Sequence, residues 1–136
     1  MYYLNTNTQF ILFQDTLNSH IYVDKSLLIK KISPLIRTDG KYICITRPRR
    51  FGKTVNANML GAYYCKAHNS HVLFDHLTIA GEKIYEDYIN RYNVIHIDFS
   101  VFPDFCDSYD TYLKGIIKNL REDLLANHQP PLQVGV

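Results

Sequence analysis

Residues 42–54 read Tyr42-Ile43-Cys44-Ile45-Thr46-Arg47-Pro48-Arg49-Arg50-Phe51-Gly52-Lys53-Thr54, an apolar, β-branched run that enters a cationic turn and closes on Gly-Lys-Thr. A helical pattern follows, with Val55, Met59, Leu60 and Tyr63 on its buried face. The order strand, turn, helix predicts a trap for phosphate. Backbone N–H groups of the turn point inward, and the helix opening at Lys53-Thr54 adds the positive end of its dipole. In such a trap Lys53 reaches the β and γ phosphates of a nucleotide, and the Thr54 hydroxyl ligates the Mg²⁺ that bridges them. The general pattern G-x-x-x-x-G-K-[ST] asks for a first glycine at position 47, where this chain has Arg47. A non-glycine residue held there at positive φ costs about 1 to 2 kcal/mol, which a folded domain absorbs.

Arg47, Arg49, Arg50 and Lys53 gather four cations around one loop, in a chain whose net charge is only +2. Two anionic partners suit them: a nucleoside triphosphate, which guanidinium groups neutralise bidentately, and a nucleic acid backbone, attracted without sequence reading. Trapping by backbone N–H groups requires Gly52 and a helix N-terminus, whereas simple polyanion attraction does not. Gly52-Lys53-Thr54 therefore favours the nucleotide. The rival reading is a non-catalytic basic module that binds nucleic acid or a protein, and Arg49 or Arg50 could equally pair with carboxylates to fix the domain.

Residues 47–54, Arg-Pro-Arg-Arg-Phe-Gly-Lys-Thr, resemble the phosphate loop of the AAA-ATPase-like family of bacterial proteins, which are often joined to a PD-(D/E)XK nuclease-like domain. A second block, Tyr22-Val23-Asp24-Lys25-Ser26, is similar to that family's aromatic-Val-Asp-Lys-[Ser/Thr] segment. Weaker echoes are Leu73-Phe74-Asp75-His76-Leu77-Thr78-Ile79 and Val94-Ile95-His96-Ile97-Asp98-Phe99-Ser100. The resemblance spans residues 10–125 and makes Arg47 ordinary for the family. It implies ATP with Mg²⁺ as ligand, bound by Arg47, Pro48, Arg49, Arg50, Phe51, Gly52, Lys53 and Thr54, with Thr54 on the metal.

A hydrolytic enzyme of this kind also holds Mg²⁺ through an aspartate at the end of a buried strand. No apolar run in the sequence ends in Asp-Glu. Val94–Asp98 comes nearest, but Phe99-Ser100 follows, so Asp98 reads first as a residue at a strand exit and only second as a metal partner. In the resembled family the metal-binding strand comes later still, so binding without hydrolysis is the expectation.

The fold expectation is α/β, a P-loop NTPase-like three-layer sandwich around a parallel sheet, truncated after about two core strands at 41–46 and 93–99. Residues 1–40 form a lead-in, 41–127 a partial nucleotide-binding domain and 128–136 a tail. Phe10–Leu17 is too brief to assign between helix and strand. Asp24 is placed to cap a helix over 25–36, with Leu28, Ile29, Ile32, Leu35 and Ile36 as its stripe and Ser33-Pro34 to kink or end it. Further helices are expected over 53–64, around Ile84, Tyr88 and Ile89, and over 109–126, where Leu113, Ile116, Ile117, Leu120 and Leu124 give the cleanest helical period. A sheet so short leaves an uncovered edge or face, which predicts self-association.

The composition, 46% hydrophobic and 21% charged, is that of a globular protein, and no apolar run reaches the length of a membrane span. Met1-Tyr2-Tyr3-Leu4-Asn5 has neither the basic start nor the apolar core of a secretory signal, which predicts a cytoplasmic setting. Cys44, Cys65 and Cys106 are odd in number and widely spaced, as suits reduced thiols. Cys65, His68 and His71 recur every three residues with His76 behind, yet a structural zinc site wants four well-spaced ligands, and these read as loop residues. His96, within the second strand tract, reads as a hydrogen-bonded histidine rather than a catalyst.

Overall fold

The computed structural model describes residues 2–46, 52–99 and 107–127. The chain divides into two compact units, Asn7–Asn93 and a second made of Met1–Thr6 with Val94–Val136.

The Asn7–Asn93 unit is helical. It contains α1 (Thr8–Leu17), α2 (Leu27–Ile32), α3 (Lys53–Tyr64), α4 (His71–Phe74) and α5 (Tyr85–Tyr88), with 3₁₀ turns at Ser33–Leu35, Asp39–Lys41 and Thr78–Gly81. α1 packs along α3, and Gly61 sets how close they come. A β-carbon at Gly61 would meet the Cγ of buried Gln9 at 3.0 Å. The core between the helices is aromatic. Phe13 stacks on Phe74 with ring centres 5.1 Å apart, and Phe74 meets Tyr63 edge-on at 5.4 Å. Such pairs add to the stabilisation from burying the rings. The buried phenols find partners, as polar groups removed from water must: Tyr63 Oη donates to the Tyr85 carbonyl, Tyr85 Oη donates to Asp75, and Tyr64 Oη shares a hydrogen bond with Ser33 Oγ, each at 2.7 Å. Burial pushes the Tyr64 phenol up to about 12.

In the second unit Leu4 and Ile95 form an isolated antiparallel bridge, and the backbone N–H of Asn5 donates to the Val94 carbonyl at 2.7 Å. α6 (Tyr109–Asn127) contributes Asp123, a buried carboxylate that accepts the backbone N–H groups of Tyr2 at 2.8 Å, Tyr3 at 2.6 Å and Leu4 at 3.2 Å. Burial alone would raise its pKa. The three donors outweigh it and hold the carboxyl below its ordinary value.

The expected α/β sandwich is overturned. Among the described residues there is no β-strand, only the Leu4–Ile95 bridge and a parallel one between Cys65 and Tyr92. Residues 42–46 run without regular structure after the Asp39–Lys41 turn. Tyr42, Ile43 and Ile45 are 85%, 43% and 42% exposed, and Cys44, expected in a core strand, is exposed too. Residues 93–99 make only the bridge at Ile95. The physical reason is that an apolar run states which side chains avoid water, while a strand exists only when neighbours satisfy its N–H and C=O groups. Among the described residues 42–46 has no strand partner, and 93–99 pairs with residues 3–5 through a single bridge that does not extend into a ladder. With no sheet there, the uncovered sheet face expected to drive self-association has no counterpart either.

The helices follow the sequence pattern more closely. α3 and α6 run over Lys53–Tyr64 and Tyr109–Asn127, and the predicted 25–36 helix is divided at Ser33-Pro34 into α2 and a 3₁₀ turn. Ser26 rather than Asp24 occupies the N-cap of α2.

Candidate functional site

Gly52 is the N-cap of α3 and lies in the left-handed region, at φ 81° and ψ 19°. Only glycine enters that region without a steric penalty, and the conformation turns the chain abruptly into the helix. The Asn56 N–H donates to the Gly52 carbonyl at 2.9 Å, which closes the first helical turn. Lys53 and Thr54 open the helix and are exposed, and the first turn carries no acidic residue. The remaining N–H groups of that turn have no acceptor within the helix, as at every helix start. Arg47, Pro48, Arg49, Arg50 and Phe51 lie outside the described residues.

The Tyr22–Ser26 segment reaches the same place. Asp24 accepts the backbone N–H and the hydroxyl of Thr78, each at 2.8 Å through Oδ2, and the Ser26 N–H at 2.8 Å through Oδ1. Ser26 is buried, and its Oγ accepts the Ile79 N–H at 3.1 Å. Two blocks far apart in sequence, 22–26 and 73–79, are thereby fastened together. Burial would raise the Asp24 carboxyl, but its Ser26 and Thr78 donors hold it below the usual range. Tyr22 packs edge-on against Phe13 with ring centres 6.1 Å apart. Lys25, between these anchors, extends to Gly52: its Nζ lies 3.2 Å from where a β-carbon on Gly52 would be. A cavity of about 320 Å³ opens at this junction, lined by Lys25, Gly52, Val55 and Asn56 with Tyr22, Thr16, Ile21 and Val23, and among the described residues no carboxylate lines it. A smaller hollow of about 220 Å³ uses Lys53 and Asn56 together with Ile43, Ile45, Ala57 and Leu60.

A sequence profile of a family described as predicted AAA-ATPase matches residues 12–132. The chain belongs to the AAA-ATPase-like family. No curated protein and no solved structure matches it. Membership in an AAA-ATPase-like family is consistent with nucleotide binding and with the Mg²⁺ that nucleotide use commonly brings. The matched span takes in the Tyr22–Ser26 block, the Gly52 turn and α6.

Elsewhere in this AAA-ATPase-like chain the other candidates are placed as follows. Asp98 belongs to the second unit, where its carbonyl accepts the Tyr112 hydroxyl at 3.3 Å. Among the described residues no group of three or more His, Cys, Asp or Glu side chains could hold a metal ion. Cys65 is buried, which pushes its thiol up; His68 lies against the Phe10 ring at 5.2 Å; and His71 pairs with Glu86 at 3.0 Å. The His96 backbone N–H donates to the Tyr3 carbonyl at 3.1 Å. No helix among the described residues is long and apolar enough to cross a membrane.

Lys25 is the residue beside Gly52 that sequence reasoning did not single out. Its block stood out as a family resemblance, yet a lysine beside an aspartate reads locally as half of an ion pair, and nothing in the spacing to Gly52 tells that the two meet.

Proposed function

We propose that this chain binds a nucleoside triphosphate, ATP with Mg²⁺, with the polyphosphate at the N-terminus of α3. The observation that carries the reading is Gly52 in the left-handed conformation directly before Lys53-Thr54 at the start of a twelve-residue helix. That arrangement presents unpaired N–H groups and a helix dipole to one spot, where an anion is favoured. Lys53 neutralises the outer phosphates, and the Thr54 hydroxyl is a hard oxygen donor for Mg²⁺, which takes phosphate and water as its remaining ligands. The sequence supplies further cations in Arg47, Arg49 and Arg50, with Pro48 and Phe51 completing the loop. Binding without turnover is the activity proposed, and Asp98 is kept as the residue to test should phosphate be released.

The test is thermal unfolding with increasing MgATP. A ligand that binds only the folded state stabilises it by RT ln(1 + [L]/Kd), about 2.7 kcal/mol at a hundredfold excess over Kd. The midpoint climbs in the parent chain and stays fixed in Lys53→Ala. Equal shifts in both chains would overturn the assignment, and a single-stranded oligonucleotide that shifts the parent where MgATP does not would favour the basic interaction module.

A further inference from the structure

We propose that Lys25 is a second cationic ligand of the bound polyphosphate beside Lys53, reaching it from the Tyr22–Ser26 segment; this rests on the nucleotide reading above. Three observations converge on it. The first is position: the Lys25 ammonium lies 3.2 Å from where a β-carbon on Gly52 would be, so it occupies the space that the missing side chain leaves open at the start of α3. An anion seated on the first-turn N–H groups comes within reach of its three donors.

The second is the absence of a counter-charge. Among the described residues Lys25 forms no ion pair, and no carboxylate lines the cavity it shares with Gly52. Its neighbour Asp24 is the obvious partner, but both oxygens of that carboxylate are committed, one to Thr78 and the other to Ser26. A lysine, a second lysine at position 53 and the positive end of a helix dipole thus gather without neutralisation, an arrangement that an oxyanion relieves.

The third is that the geometry is built. Asp24 and Ser26 pin the backbone on both sides of Lys25, which limits where its stem can begin. Tyr22, on the wall of the same cavity, is held by its ring against Phe13 and has its phenol beside the Lys25 backbone.

The experiment is titration calorimetry of the full chain with MgATP, using Lys25→Met, which keeps an apolar stem and removes the charge, with Lys25→Arg and Lys53→Ala beside it. Lys25→Met is expected to weaken MgATP binding about tenfold or more, the size of one charged hydrogen bond, and Lys25→Arg to recover most of it. Mass-spectrometric reading of amine-reactive labelling in the parent chain gives an independent measure: MgATP protects Lys25, and adenosine, which lacks phosphate, does not. If Lys25→Met binds like the parent, or labelling is unchanged at saturating MgATP, while Lys53→Ala loses binding, the Lys25 assignment fails and the nucleotide reading stands. If the parent binds no MgATP, both fall.

Discussion

Asp24 and Thr78 are joined twice, the carboxylate Oδ2 accepting both the backbone N–H and the hydroxyl of Thr78 at 2.8 Å. The pair links the segment that carries Lys25 to the 3₁₀ turn Thr78–Gly81, and the Ser26–Ile79 bond repeats the link one residue further on. Two stretches that resemble family blocks are therefore one structural unit, and their joint effect is to fix the backbone from which Lys25 extends.

A double-mutant cycle on this pair should show coupling. Asp24→Ala removes the acceptor and Thr78→Val removes only the hydroxyl. Because Asp24 is exposed, solvent screens the interaction, and the expected coupling is about 0.5 to 1 kcal/mol in urea unfolding. Additive single changes would mean that the two contacts do not hold the segment.

The contrast with the lost strands explains what was legible. α6 follows from Leu113, Ile116, Leu120 and Leu124, because a helix satisfies its own backbone hydrogen bonds and its pattern is local. The Gly52 turn was legible for a similar reason: glycine before Lys-Thr at a helix start is a short-range signal. The run 42–46 carries the same kind of apolar signal, but whether it becomes a strand depends on residues elsewhere that would form the ladder. The Asp24–Thr78 bond and the approach of Lys25 to Gly52 have no periodicity at all. They depend on how distant turns dock, and no spacing rule reports that.

Acid should weaken the fold through two carboxylates. The folded-state pKa values of Asp24 and Asp123 both lie below the ordinary 3.8. Each contributes stability that is present above that ordinary value and lost as pH falls through the lower folded one, because in that interval the unfolded chain binds more protons. Asp123→Asn should destabilise by about 2 kcal/mol near neutral pH, since it removes charged acceptance of the Tyr2, Tyr3 and Leu4 N–H groups. Its unfolding curve should converge with that of the parent at strongly acidic pH. A constant difference across the titration would show that the effect is packing rather than charge.

Gly61 gives a packing prediction in which two effects nearly cancel. Ala in place of Gly inside a helix gains about 1 kcal/mol of propensity, but its β-carbon would come 3.0 Å from the Gln9 Cγ and press on a buried side chain. Gly61→Ala alone should be close to neutral. Made in a Gln9→Ala background the same change should stabilise by up to about 1 kcal/mol, because the obstructing atom is gone. A large loss in both backgrounds would mean that α1 and α3 approach more closely than the Gln9 contact indicates.

Gly52 tests the turn itself, and its two costs separate by choice of residue. At φ 81° an alanine is strained by about 1 to 2 kcal/mol, whereas asparagine tolerates the left-handed region better. The nearest atom to a new β-carbon is the Lys25 ammonium at 3.2 Å, the end of a flexible side chain that can move aside. Stability should therefore fall more in Gly52→Ala than in Gly52→Asn, following the backbone preference. MgATP affinity should fall in both, because any side chain at this position displaces Lys25 and occupies the ground where phosphate is proposed to bind. Urea unfolding measures the first effect and calorimetry the second. If Gly52→Ala is as stable as the parent, the left-handed conformation is not required to start α3; if Gly52→Asn keeps full affinity, phosphate does not approach the turn at this face.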